Sequence, residues 1–320
     1  MNKEYKWGIL GTGYMAHQFL LGIRKTTAPI VWGVGGMNQE VATEFAEENN
    51  IPNAFGTYEG LMDCEEVDII YVATVQIFHF ENVKYALERG KHVICEKTLM
   101  MNEQQARELQ ALAKEKKVLF QEAMWARFLP ATKAIKDMLQ SGVIGKIKNA
   151  MLDFGYEAVK DPEGRIYNPK LGGGAIYDAG IYPTSFASYI MERQPDEIVT
   201  VFHNTQRGVN VSCATNFKYD DILFSIYFSV ANKTLQQGII CAEKGTMVIP
   251  RFWSPCEFTV ITQEKTTTYQ YPYIDNGYYY IAQSFVDTLL SGKLDNDIMP
   301  LEESCQIMNT IDRIQASWES

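Results

Sequence analysis

From Tyr5 to Gln121, short apolar runs alternate with stretches of helical spacing. Residues 5–10, Tyr-Lys-Trp-Gly-Ile-Leu, read as a buried strand that Gly11-Thr12-Gly13 breaks. Ala16, Phe19, Leu20 and Ile23 then recur at helical period within 14–25. Ile30 to Val34, Val67 to Ala73, His92 to Cys95 and Val118 to Gln121 predict further strands. Between them, Val41, Phe45 and Ala46 mark one helix, and Phe80, Val83 and Leu87 another that stops at Gly90. Asn102 with Gln105 resembles a capping box opening a helix over 103–116. Such alternation predicts a parallel sheet covered on both faces, and right-handed crossovers make it doubly wound.

From about Gly145 the pattern changes. Residues 146–157 alternate as a strand, and a helix is predicted over 174–191. Strand-like runs follow at 197–204, 211–219, 222–231, 235–242, 245–250, 256–262 and 266–271, then helices at 277–291 and 301–318. Consecutive strands with short turns predict a mainly antiparallel sheet. The fold class is therefore α/β: a Rossmann doubly wound parallel sheet, then an α+β domain with a large, mainly antiparallel sheet. The boundary falls after residue 122, giving domains 1–122 and 123–320, with the last helices able to pack back on the first.

With 320 residues and 46% hydrophobic content, the chain has ample material for two cores. Its formal net charge of −10 lacks the basic field that nucleic acid or an anionic membrane surface requires. The six cysteines are scattered without a CxxC pair, so no zinc site or redox dithiol, and no metal, is expected. The N-terminus offers no apolar signal core, and no later stretch has the ~20 apolar residues of a membrane span. Free thiols fit a reducing cytoplasm.

The first strand and helix are joined by Gly8-x-x-Gly11-x-Gly13-x-x-Ala16, which contains G-x-G-x-x-A. Gly11 permits the tight turn, Gly13 admits a pyrophosphate to the backbone, and Ala16 lets the helix pack closely. The helix start presents amide donors and positive dipole to phosphate. Gly11, Thr12, Gly13, Tyr14 and Met15 are therefore expected to hold a dinucleotide. The second strand ends in Gly35-Gly36-Met37-Asn38. It has neither the acid that holds a ribose 2′-OH nor the Arg that meets a 2′-phosphate. Met37 and Asn38 border the cofactor either way, and NAD or NADP stays open.

Three further segments carry a resemblance: Glu96-Lys97-Thr98, Ala123 to Pro130, and Gly172-Gly173-Gly174-Ala175-Ile176-Tyr177-Asp178-Ala179-Gly180-Ile181-Tyr182. With the glycine loop they resemble the glucose–fructose oxidoreductase / inositol dehydrogenase family over nearly the whole chain. Within it the chain is most similar to the dimeric dihydrodiol dehydrogenase and NADP-linked xylose dehydrogenase branch. The resemblance implies that Lys97, with Glu96 beside it, contacts the nicotinamide end and substrate. It implies that Asp178 and Tyr182 supply an acid/base motif, and that Arg165 reaches cofactor or substrate. Thr74, Val75, Gln76 and His79 match the T-P-N-x-x-H segment, with Val75 and Gln76 replacing Pro-Asn. Thr98 stands where proline is usual, and proline tolerates a cis peptide far better. The family also implies a homodimer through the C-terminal sheet.

The implied chemistry is hydride transfer between nicotinamide and a C–OH/C=O centre of a sugar, polyol or trans-dihydrodiol. Tyr182 is the candidate acid/base, Lys97 its electrostatic partner, and Asp178 orients the pair; the first two roles are interchangeable at this stage. Trp125, Arg127 and Phe154 are candidate substrate contacts, with Tyr156, Trp253 and Tyr278 to Tyr280 as further pocket walls. Arg127 fits an interdomain ion pair equally well. Two other functions compete: an NAD-assisted glycosidase without net redox change, and a non-catalytic dinucleotide-sensing regulator. Tyr182 in place of His argues against the first, and Lys97 together with Tyr182 against the second. No helix-turn-helix or basic arm is visible.

Overall fold

The computed structural model describes residues 4–317. The chain divides into two compact units. The first takes in the chain through Trp125 together with Ile274–Cys305, and the second takes Ala126–Tyr273 and the chain from Gln306 onward.

The first unit opens with β1 (Lys6–Leu10), α1 (Tyr14–Ile23), β2 (Ile30–Gly35), α2 (Gln39–Glu48), β3 (Asn53–Phe55) and α3 (Tyr58–Met62). It continues with β4 (Ile69–Val72), α4 (His79–Glu88), β5 (His92–Glu96), α5 (Glu103–Lys116) and β6 (Phe120–Ala123). The second unit contributes α6 (Pro130–Gln140), β7 (Ile147–Gly155), α7 (Ile181–Met191), β8 (Glu197–Asn204), β9 (Asn210–Tyr219) and β10 (Ile222–Ser229). Then come β11 (Gln237–Ala242), β12 (Gly245–Pro250), β13 (Glu257–Thr262) and β14 (Thr266–Gln270). Helices α8 (Tyr278–Leu290) and α9 (Leu301–Ala316) end the chain.

The first sheet is wholly parallel in the order β3-β2-β1-β4-β5-β6. Its central strands are apolar on both faces, with Ile9, Leu10, Ile69 to Val72, Val93 and Ile94 fully buried, as a doubly covered parallel sheet requires. The predicted α5 cap is present: Asn102 Oδ1 accepts from Gln105 N at 2.9 Å, while Gln105 Oε1 reaches back to Met101 N at 3.1 Å. β3, α3 and α6 were not predicted. β3 and α3, at 3 and 5 residues, span less than two full periods of their pattern, and α6 buries only Ala131, Thr132 and Ile135.

The second sheet has the order β14-β13-β12-β11-β7-β10-β9-β8 and is antiparallel except for the β7–β10 pair. The long connection between those two strands lets β10 enter in the direction of β7. Helix α7 packs on β7 and β10. The helix predicted over 174–191 begins as a π turn, Ile176–Gly180, before α7 proper.

Within the first unit, α8 covers α1. Phe285 of α8 meets Trp7 at 5.7 Å between rings, and Phe19 of α1 stacks on Tyr71 at 3.9 Å. Gly22 permits this contact, because a Cβ there would fall 2.6 Å from the Tyr278 carbonyl carbon. Gly22→Ala gains about 1 kcal/mol of helix propensity but forces a backbone overlap of the kind that costs about 1–3 kcal/mol. We predict a net loss of stability in chemical denaturation; a stabilised variant would show that the two helices are not in close contact.

Candidate active site

At the carboxyl end of the first sheet, the turn after β1 is set by Gly11. Its φ is +106°, and a Cβ would fall 2.8 Å from the Ala73 carbonyl oxygen. Gly13 differs. Its φ of −83° suits any residue, and a Cβ there meets nothing within 4 Å. No contact among the described residues calls for glycine at this position, and the space beside it is open. Helix α1 begins at Gly13 with no side-chain cap and no acid in its first turn, so its leading amides remain open to an anion. Thr12, Tyr14 and Met15 lie along this edge, and Tyr14 is 74% exposed. These features fit a dinucleotide pyrophosphate.

The loops after β2, β4 and β5 share that side of the sheet. Met37 is 78% exposed, and Asn38 caps α2 by accepting from Val41 N at 2.9 Å. Thr74, Val75 and Gln76 follow β4, and Asn82 Nδ2 donates to Thr74 Oγ1 at 3.1 Å. His79, a candidate cofactor residue, is buried. Its Nε2 faces the Thr74 carbonyl at 3.1 Å and its Nδ1 faces those of Thr98 and Leu99, both at 3.2 Å. Burial lowers its pKa, against the pull of those carbonyls. The ring ties the β4 loop to the β5 loop rather than offering a free nitrogen.

Glu96, the last residue of β5, is also buried, and its Oε1 accepts from the Tyr71 hydroxyl at 2.6 Å. Lys97 follows, and the Lys97–Thr98 peptide bond is cis. Leu99 N donates to Glu122 Oε1 at 3.1 Å, so the segment after Lys97 is held to both β6 and α4. Trp125 stacks on Tyr278 at 5.0 Å, within the first unit.

The second unit carries Asp178 in the π turn and Tyr182 at the start of α7. The Asp178 carboxylate receives Arg165 NH1 on Oδ1 at 2.7 Å and the Tyr156 hydroxyl on Oδ2. Gly173 makes this possible, since a Cβ there would fall 2.6 Å from the Ile166 carbonyl oxygen and 2.9 Å from that of Arg165. Tyr182 meets Phe154 edge-on at 5.1 Å and Trp253 at 5.9 Å, while Phe154 and Trp253 lie 5.1 Å apart. The structure thus gathers Asp178, Arg165, Tyr182 and Phe154 from separate stretches.

Two partners were not legible as such. Tyr156 was one of several aromatic candidates, and nothing in its sequence neighbourhood points to Asp178. Gln236 accepts from Trp253 Nε1 at 3.0 Å and donates to the Gly155 carbonyl at 2.8 Å, fixing the indole beside Phe154. Arg127, a candidate substrate contact or interdomain ion pair, lies 2% exposed against α7. It donates to Ser185 Oγ at 2.9 Å and to the Ser185 carbonyl at 2.8 Å.

A six-stranded parallel sheet in this order, with a glycine turn and open amides at its first helix, defines a dinucleotide-binding Rossmann protein. The chain belongs to the GFO/IDH/MocA family: residues 5–124 match its NAD-binding Rossmann-fold oxidoreductase model, and residues 132–248 its C-terminal domain model. It is 34% identical to the trans-1,2-dihydrobenzene-1,2-diol dehydrogenase of Xenopus laevis over 324 residues, covering 96% of each chain. An aldose–aldose oxidoreductase from Caulobacter crescentus, complexed with glycerol, superposes with a TM-score of 0.90 at 18% identity, over 99% of this chain and 98% of that one. A 3-ketoreductase from Actinomadura kijaniata, in complex with NADP and TDP-benzene, gives 0.89 at 24% identity over 98% of both. The protein is an NAD(P)-dependent oxidoreductase. Among the described residues, no helix is long and apolar enough to cross a membrane.

Burial, then the charge and hydrogen bond of Asp178, push the Tyr156 phenol far above the ordinary tyrosine value. It therefore stays protonated at about pH 10, where a free tyrosine is half ionised. Difference-ultraviolet titration of the native protein and Tyr156→Phe should give equal phenolate signals at that pH. A signal one tyrosine smaller in the variant would refute the assignment.

Proposed function

We propose that the protein interconverts a C–OH and a C=O group on a trans-dihydrodiol, sugar or polyol. The observation that carries this reading is the aromatic wall of Phe154 and Trp253 around Tyr182, set beside the Asp178–Arg165–Tyr156 group. Aromatic faces suit both a cyclohexadiene ring and the C–H face of a sugar. The similarity to dihydrodiol dehydrogenases over 96% of the chain supports the same substrate classes.

Bound nicotinamide accepts or supplies the hydride. The chain supplies the rest. In the oxidative direction the substrate carbon loses hydride and its hydroxyl loses a proton, so a C=O bond forms. Tyr182 takes that proton as its phenolate and returns it in the reverse direction. Lys97 contributes the positive charge that favours an anionic oxygen. Asp178 holds Arg165 and Tyr156 in place near Tyr182, and Gly11 to Met15, Met37, Asn38 and Thr74 to Gln76 border the dinucleotide.

Tyr182→Phe and Lys97→Met are each expected to lower turnover by about 10²-fold or more, the contribution of a positioned proton donor or acceptor. Quenching of tryptophan fluorescence by reduced dinucleotide should persist in both. Near-native turnover in both variants would remove them from the mechanism. Dinucleotide binding by the native protein without turnover of any diol or sugar would favour a sensor.

The second sheet supports a homodimer. Its register puts Val199, Val201, Leu223, Met151, Ile239 and Ile261 on one face. Val199 and Val201 are 63% and 71% exposed, so large apolar side chains stand open on this face. A second copy of the chain covers it in this reading. Light scattering should give twice 36.4 kDa for the native protein and a folded monomer for Met151→Lys combined with Val201→Glu. A monomeric native protein would end the proposal. Six free cysteines accord with a reducing, cytoplasmic setting.

A further inference from the structure

We infer that this chain takes NAD(H) in preference to NADP(H), and that the loop Gly36–Met37–Asn38 makes the choice. The inference rests on the dinucleotide site described above and concerns its ribose end. In a sheet of this order the loop after β2 receives the adenosine ribose, and an NADP 2′-phosphate there is met by a cation.

No cation is available along this part of the chain. Between Lys25 and Lys84 the sequence contains neither Lys nor Arg. The same stretch places Glu40 in the first turn of α2 and Glu44 one turn later. The flanking cations are committed elsewhere. Arg24 and Lys25 sit at the carboxyl end of α1, across the sheet from the β2 loop, where Arg24 bonds the Asn49 carbonyl and Lys25 pairs with Asp275. Lys6 begins β1 at that same far edge and pairs with Glu66. Lys84 pairs with Glu108 at 2.8 Å.

Asn38 supplies what the loop does offer. Its Oδ1 is used in capping α2, so the amide nitrogen is the half left to face a ligand. An N–H₂ donor suits a ribose hydroxyl oxygen, whereas one neutral amide does not balance a phosphate beside two carboxylates. Met37 adds exposed apolar surface and no charge.

Calorimetric or fluorescence titration with NADH and NADPH tests this directly. The NADPH dissociation constant should be at least tenfold higher at low ionic strength. The gap should narrow with salt, as the Debye length falls from about 30 Å at 0.01 M to about 8 Å at 0.15 M. Met37→Arg should strengthen NADPH binding at least tenfold. Asn38→Asp, which preserves an N-cap residue, should weaken it further. Misfolding does not move two variants in opposite directions. NADPH binding as tight as NADH in the native protein overturns the inference while leaving the dinucleotide site standing. Binding of neither overturns the site and the inference with it.

Discussion

The backbone of Gly11 is the point on which the functional edge of the first sheet depends. Its N–H bonds the Gly35 carbonyl at 2.9 Å, and its α-carbon lies against Ala73, whose N–H in turn bonds the Leu10 carbonyl at 2.8 Å. The ends of β1, β2 and β4 thus close on one residue whose φ of +106° excludes side chains. Displacing Ala73 would also displace Thr74, and the Thr74 carbonyl is one of the three that His79 faces. The other two belong to Thr98 and Leu99, directly after Lys97. A steric condition at the glycine turn is in this way carried to the loop that bears Lys97, through backbone atoms and one buried ring.

The second unit uses the same device with a different result. Gly173 lets its own loop pass against the carbonyls of residues 165–168, which brings Arg165 to Asp178. The π turn that follows is a feature found often at functional sites. Arg165 is itself 58% exposed, so the ion pair contributes placement more than stability. The Asp178 side chain is 15% exposed, and its charge is met from two sides, by a guanidinium and a phenol.

Much of this was legible in the residues. The Rossmann sheet followed from apolar runs and the glycine loop, and all eight strands of the second sheet followed from alternation and turns. Elements too short to repeat their pattern twice, such as β3 and α3, were not. Sequence patterns identified which residues carry chemistry more readily than what those residues touch. His79 and Arg127 matched polar positions in family segments, yet both are buried with backbone or hydroxyl partners, because a motif does not state which way a side chain turns. Asp178 and Tyr156 are brought together only by folding, as β7 and the π turn are separate stretches of chain. The parallel β7–β10 pair was hidden for the same reason: pairing direction depends on a connection whose path no local pattern encodes.

The contacts within the second unit also set Tyr156 and Tyr182 in different surroundings. Tyr156 donates its proton to Asp178 and sits beside that carboxylate's charge, so ionising it would place two anions together in a half-buried site. Its proton is structural. Tyr182 stands against the uncharged rings of Phe154 and Trp253. Asp178 thus fixes the proton on Tyr156 through one carboxylate oxygen and holds Arg165 through the other.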